Sequence, residues 1–194
     1  MIHHIFSNQF YSLITPPNKE DILSALKNFK VDSQETKNIK WSEKLPNIKV
    51  ESLYPDEVLP FLIPSLKIFF EQLRVPEIPI RLLTIWKNTY RKEGYQEVHS
   101  HLSLNGDVHL SGCIFLDDFH PQDGKFYFYN RHACEISSPW RKILNENATE
   151  YVVYVPTPKR GDIIFFPADM LHGVYAHKSG KIRQTISFNI GMNL

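Results

Sequence analysis

The chain has 194 residues, 42% of them hydrophobic, with 22 basic and 21 acidic side chains and a formal charge of +1. That length suits one domain, expected to bury about 70% of the surface its unfolded chain exposes. The balanced charge argues against nucleic acid as a partner, because affinity for a duplex rests on clustered Lys and Arg. Cys113 and Cys134 make neither a disulfide framework nor a paired metal knuckle, which points to a reducing compartment.

The N-terminus, MIHHIFSNQFYSLI, lacks the basic start, apolar run and cleavage site of a signal peptide. No stretch approaches the ~20 apolar residues that cross a bilayer. A cytoplasmic protein without a membrane partner is expected, so the glycosylation-like triplet Asn147-Ala148-Thr149 has no use. Residues 16–30 predict a helix after a Pro-Pro start, with Ile22, Leu23, Leu26 and Phe29 on its apolar side. Residues 31–50 are polar and predict a surface loop. Residues 55–75 predict a second helix that buries Val58, Leu62, Leu66, Phe69 and Leu73, kinked or broken at Pro60 and Pro64.

From residue 79 the pattern changes to short β-rich runs separated by Gly, Pro, Asn and Asp: IRLLTIWKNTY, QEVHSH, LSGCIFLDD, KFYFYN, EYVVYVPT, DIIFFP, HGVYAH and IRQTISFNI. Eight such runs without helical crossovers predict a mainly β fold, an eight-stranded jelly-roll barrel with two helices packed outside. No Gly-rich phosphate loop supports a Rossmann sheet. Residues 1–78 are expected to form a helical extension on a core of residues 79–194, one structural domain overall.

Alternation along a strand puts His99 and His101 on one face, and His172 opens a later strand. Two ligands from one strand and one from a distant strand make a facial metal site for Fe(II), Zn or Cu, with the opposite positions open. His109 falls in a loop, and His3, His4, His120, His132 and His177 carry no recognisable geometry. Phe126, Tyr127, Phe128 and Tyr129 suit a cleft, but alternating aromatics more often pack across strands.

A two-residue turn between Ser179 and Gly180 would make residues 172–190 a hairpin. Ser187 then faces His172, Arg183 faces Ala176, and Arg183, Thr185 and Ser187 share the histidine face. Arg183 would stand about 13 Å along the strand. A metal-chelated five-carbon dicarboxylate and the long Arg side chain together span that distance, and the guanidinium fork matches a carboxylate.

With these residues in place, the chain resembles the 2-oxoglutarate- and Fe(II)-dependent oxygenases of the double-stranded β-helix superfamily, and more narrowly the small oxygenases of bacteria and marine phages. Trp86-x-Asn88, HSH at 99–101, LSGCIFL, RGDIIFFPADMLH and RQTISFN carry the resemblance over roughly residues 80–190. It implies Fe(II) on His99 and His172, with 2-oxoglutarate chelating the iron and anchored on Arg183 and Thr185, and Asn88 as a weaker contact. It further implies hydroxylation of an unidentified small-molecule or peptidyl substrate, release of succinate and CO2, and action in bacterial or phage-host cytoplasm. No catalytic side chain is implied beyond the metal centre. One departure stands out. The superfamily usually has Asp or Glu where this chain has His101; Asp107 is the nearby carboxylate that could replace it. Two alternatives stay open: a cupin-type metal enzyme using the same histidines without 2-oxoglutarate, and a non-catalytic jelly-roll binding or structural module. The oligomeric state is open.

Overall fold

Successive residues of a strand point to opposite faces, and residues 163–166 thereby serve two cores. Ile163 and Phe165 join one apolar cluster, Ile164 and Phe166 another. The structure, a computed structural model, describes residues 2–6, 9–26, 29–38, 47–118, 120–131 and 153–193. Among these the N-terminal elements are β1 (Ile2–Phe6), β2 (Gln9–Ile14), α1 (Lys19–Ala25), α2 (Ser33–Asn38), β3 (Ile48–Ser52) and α3 (Pro55–Leu73). The remainder is β4 (Ile80–Tyr90), β5 (Gln96–His99), β6 (Leu110–Phe115), β7 (Phe126–Tyr129), β8 (Val153–Tyr154), β9 (Ile163–Pro167), β10 (His172–Val174) and β11 (Arg183–Met192).

The strands form two antiparallel sheets, one in the order β1-β2-β9-β6-β11-β4-β3 and the other β5-β10-β7-β8. All eight runs expected after residue 79 are strands, and they divide between the sheets as a double-stranded β-helix does. The outer face of the large sheet packs Ile85, Ile114, Ile186 and Phe188 against Val58, Leu62, Leu66 and Phe69 of α3. Its inner face packs Cys113, Phe115 and Phe166 against Phe126, Phe128 and Val174 of the small sheet. Covered on both sides, β6 is buried at every residue.

At Gly112 a Cβ would collide with the Phe188 ring and the Ile164 carbonyl, so the sheet closes only around a missing side chain. Phe188 is fully buried, with the Phe165 ring 5.7 Å away. Truncating Phe188 to Ala is expected to cost about 3–5 kcal/mol of stability, read as a lower urea midpoint at unchanged slope.

Three expectations need correction. Residues 1–78 are more than a helical extension, since β1, β2 and β3 from that segment extend both edges of the large sheet. Residues 31–50 are not all loop: α2 starts where Asp32 Oδ1 accepts the N–H groups of Gln34 and Glu35, each at 3.0 Å, and β3 follows. Of the kink or broken first turn expected at Pro60 and Pro64, the break is absent, since α3 is continuous from Pro55 to Leu73. Burial of its apolar face outweighs the hydrogen bonds the prolines remove. Cys134, His132 and the triplet at Asn147 lie outside the described residues.

Candidate metal centre

β5 and β10 are neighbours, with His172 directly opposite His99. The chain leaves β5 at His99, and the His101 N–H is tied to the Ala168 carbonyl at 2.8 Å. These anchors bring the three imidazoles together. His101 Nε2 is 3.2 Å from His99 Nε2 and 3.1 Å from His172 Nε2, and the three candidate ligand atoms lie within 4.8 Å of one another. Two imidazole nitrogens about 2.0–2.1 Å from one ion, at a right angle, stand about 3 Å apart. The spacing fits one face of a coordination sphere.

The opposite ring nitrogens explain why this cluster suits a cation. His99 Nδ1 is 2.8 Å from the Glu97 carbonyl, His172 Nδ1 is 2.9 Å from the Met170 carbonyl, and His101 Nδ1 is 2.6 Å from Asn189 Oδ1. Each partner is an acceptor, so each Nδ1 carries the proton and each Nε2 presents a lone pair to the other two. Lone pairs facing across about 3 Å repel unless a positive charge lies between them. Burial lowers all three pKa values. His101 is pushed down to about 4 by desolvation and then by the charge of His99; His172 falls well below 6.5 through burial and both neighbours; His99 falls through burial, opposed by the Glu97 carbonyl. The rings therefore stay neutral and available at neutral pH.

A stability prediction follows. Between pH 6.5 and about 4 the unfolded chain binds a proton at His101 that the folded chain refuses, so the unfolded state gains as the pH falls. Metal-free protein is expected to melt at progressively lower temperature from pH 7 to pH 4. Thermal melts that stay level across that window would contradict the neutral, buried rings.

On the inner side, the histidines border a pocket shared with Tyr90, Cys113, Arg183, Thr185 and Ser187. Arg183 is only 4% exposed, and its guanidinium carbon sits 4.9 Å from the centre of the Tyr90 ring. No Asp or Glu is among the described residues of this lining, so the pocket carries one fixed positive charge and favours an anion. Burial raises the Tyr90 hydroxyl to about 12 and the Cys113 thiol to about 11, so both stay protonated and neither adds negative charge.

The expected hairpin of residues 172–190 is absent. β10 pairs with β5 and β7, whereas β11 pairs with β4 and β6 in the other sheet. Arg183, Thr185 and Ser187 still share an interior with His172, because the two sheets face each other. Asn88 is buried across the ladder from Thr185, and its amide donates to Ser187 Oγ at 3.0 Å and Thr185 Oγ1 at 3.4 Å. It braces those hydroxyls from the neighbouring strand, on the same face of the sheet, and is not among the residues that border the pocket. Asp107 is engaged by the Ser103 hydroxyl, which lowers its pKa, and is not part of the histidine cluster. Among the background histidines, His177 is fully buried: its Nδ1 accepts the Gly124 N–H at 3.1 Å, and its Nε2 donates to the Lys181 carbonyl at 2.5 Å. His109 Nδ1 accepts the Met192 N–H at 3.0 Å.

Three residues at the centre were given no role from the sequence. The Trp86 ring stacks on His101 with centroids 5.5 Å apart. Gln96 accepts from the Tyr90 hydroxyl at 3.2 Å and directs its amide nitrogen at His99 Nε2, 3.3 Å away. Asn189 holds His101. Alternation along 183, 185, 187 and 189 could have exposed Asn189. Beyond the imidazoles, on the solvent side, lies a cleft of about 480 Å³ bordered by Trp86, Glu97, His99, His101, Leu102 and Asn189. Its size is typical of small-molecule sites.

Comparison with known proteins agrees with this geometry. The profile of the family described as "Putative 2OG-Fe(II) oxygenase" matches residues 84–189. No curated protein matches the sequence significantly. HygX from Streptomyces hygroscopicus, solved with nickel and 2-oxoglutarate bound, superposes with a TM-score of 0.62 at 16% identity, over 98% of this chain and 85% of that one. A Pseudomonas putida prolyl-4-hydroxylase gives 0.58 at 14%, over 95% and 94%. SnoK, a carbocyclase from nogalamycin biosynthesis dependent on α-ketoglutarate, gives 0.63 at 14%, over 97% and 81%. At these identities the structural likeness establishes the double-stranded β-helix fold.

Proposed function

Because the chain belongs to the 2-oxoglutarate- and Fe(II)-dependent oxygenase family, we propose that it is a cytoplasmic hydroxylase of a small-molecule or peptidyl substrate, with His99, His101 and His172 as its metal ligands. One observation carries this assignment: three converging Nε2 lone pairs and a buried guanidinium border the same interior pocket. When bound, Fe(II) and 2-oxoglutarate supply the activation of dioxygen, one oxygen atom leaving in succinate with release of CO2 and the other entering the substrate.

The chain's own groups prepare that chemistry. The three imidazoles would hold the ion from one side, leaving room for the cosubstrate. Each Nδ1 keeps its proton and donates it to the Glu97 carbonyl, Asn189 Oδ1 or the Met170 carbonyl, which keeps each Nε2 aimed inward. Arg183 and Thr185 would hold the far carboxylate of the cosubstrate, the guanidinium supplying charged N–H donors and the threonine a hydroxyl. Three neutral ligands leave the ion's full double charge in place, which strengthens the attraction for a dianionic cosubstrate. Cys113, Phe126, Phe166 and Val174 close the pocket with apolar surface and thin out water.

The substrate enters from the cleft on the far side of His99 and His101. HygX was solved with hygromycin B, a small molecule, and the Pseudomonas putida structure is a prolyl hydroxylase; both support a small-molecule or peptidyl substrate here. No described helix is long and apolar enough to cross a membrane. The test is anaerobic addition of Fe(II) and then 2-oxoglutarate, followed by a succinate-release screen over amino acids, peptides and small metabolites. One iron per chain, 2-oxoglutarate binding only after iron, and substrate-stimulated succinate are expected. Failure to bind either ligand would end the proposal.

A further inference from the structure

His99 and His172 have their Nδ1 protons held by main-chain carbonyls, which no substitution can remove. Of the three, only His101 has its Nδ1 proton held by a side chain. Asn189 Oδ1 accepts the His101 Nδ1–H at 2.6 Å and the Ser111 hydroxyl at 2.9 Å, while Asn189 Nδ2 donates to Thr84 Oγ1 at 3.1 Å. In this arrangement Nδ2 donates to Thr84 and the carbonyl oxygen faces His101, so the ring's proton stays on Nδ1 and its lone pair on Nε2. Trp86 fixes the plane of the same ring by stacking on it. His101 also stands where the superfamily usually has a carboxylate, which needs no tautomer to act as a ligand.

We propose that Asn189 is the positioning residue that makes His101 a metal ligand, by setting its tautomer and aim. The inference rests on the histidine site proposed above. Its test is Ni(II) affinity by titration calorimetry together with the ¹⁵N shifts of the His101 ring in metal-free protein, which distinguish a protonated from an unprotonated nitrogen. Asn189→Ala is expected to weaken Ni(II) binding about 10- to 100-fold and to move part of the His101 proton to Nε2. Asn189→Asp keeps an acceptor and is expected to restore both readings. Thr84→Val, at an exposed position that does not touch His101, frees the amide to turn and should produce a smaller loss in the same direction, even if the Ala variant does not fold. Native Ni(II) affinity with the proton still on Nδ1 in Asn189→Ala, or in Thr84→Val if the Ala variant does not fold, would overturn the proposal. If native protein takes no Ni(II), the histidine site itself fails, while the ring shifts still decide what Asn189 does.

Discussion

Replacing His172 with Ala is expected to reduce metal affinity at neutral pH by more than about a hundredfold, and to remove 2-oxoglutarate binding and succinate formation with it. Loss of an outer hydrogen-bond partner typically lowers affinity about 10- to 100-fold, and deletion of a direct ligand should exceed that. Position 172 is the most consequential of the three because β10 sits between β5 and β7, so His172 pairs with both His99 and Phe128. Its ring is 5% exposed, lying 4.7 Å from the Phe166 centroid and 5.4 Å from that of Phe126. The remaining two imidazoles would hold an ion without the neighbour that completes a face. The metal-free variant should stay folded: truncation opens a cavity, but it also removes one of three mutually repelling lone pairs. Calorimetric titration beside a thermal melt separates the effects. A folded Ala variant that binds Ni(II) like the native chain would exclude His172 as a ligand.

Arg183→Ala should act on the other ligand. Removing one partner of a buried, hydrogen-bonded charge pair costs about 2–5 kcal/mol, or roughly 30- to 4,000-fold in affinity. The expected result is a 2-oxoglutarate Kd raised within that range while Ni(II) affinity changes little. Arg183→Lys keeps the charge and loses the planar fork, so it should fall between native and Ala. The pair of variants also separates two chemistries. A cupin-type enzyme that ignores 2-oxoglutarate would keep its turnover in Arg183→Ala, whereas the proposed oxygenase would stop releasing succinate. Unchanged 2-oxoglutarate affinity in Arg183→Ala would place the anchor elsewhere.

Local stereochemistry carried most of what was readable before any coordinates. Alternation put Arg183 with Thr185 correctly, because which face a side chain takes depends only on its own strand; His101 meets His99 for another reason, since it lies beyond the end of β5 and is held by the Ala168 carbonyl. The eight strands after residue 79 were legible for the same reason: their apolar runs are bounded by turn residues. β1, β2 and β3 were missed. They lie toward the edges of the large sheet, where short strands mix polar and apolar residues; Lys49 and Glu51 of β3, 2.6 Å apart, form an ion pair. α2 was missed because it is only six residues long and its stability comes from the Asp32 cap and not from an apolar face.

The shared face of Arg183 and Thr185 and the family were thus legible in the chain alone. Pairing was not. Which strand lies beside which depends on contacts far apart in sequence, and the expected hairpin of residues 172–190 failed there: β10 and β11 belong to opposite sheets. Only the closure of those sheets carries Arg183 to the pocket that His172 borders. Only the folded chain sets the Asn189 carbonyl 2.6 Å from His101 Nδ1, since that contact joins side chains 88 residues apart whose approach no local pattern encodes.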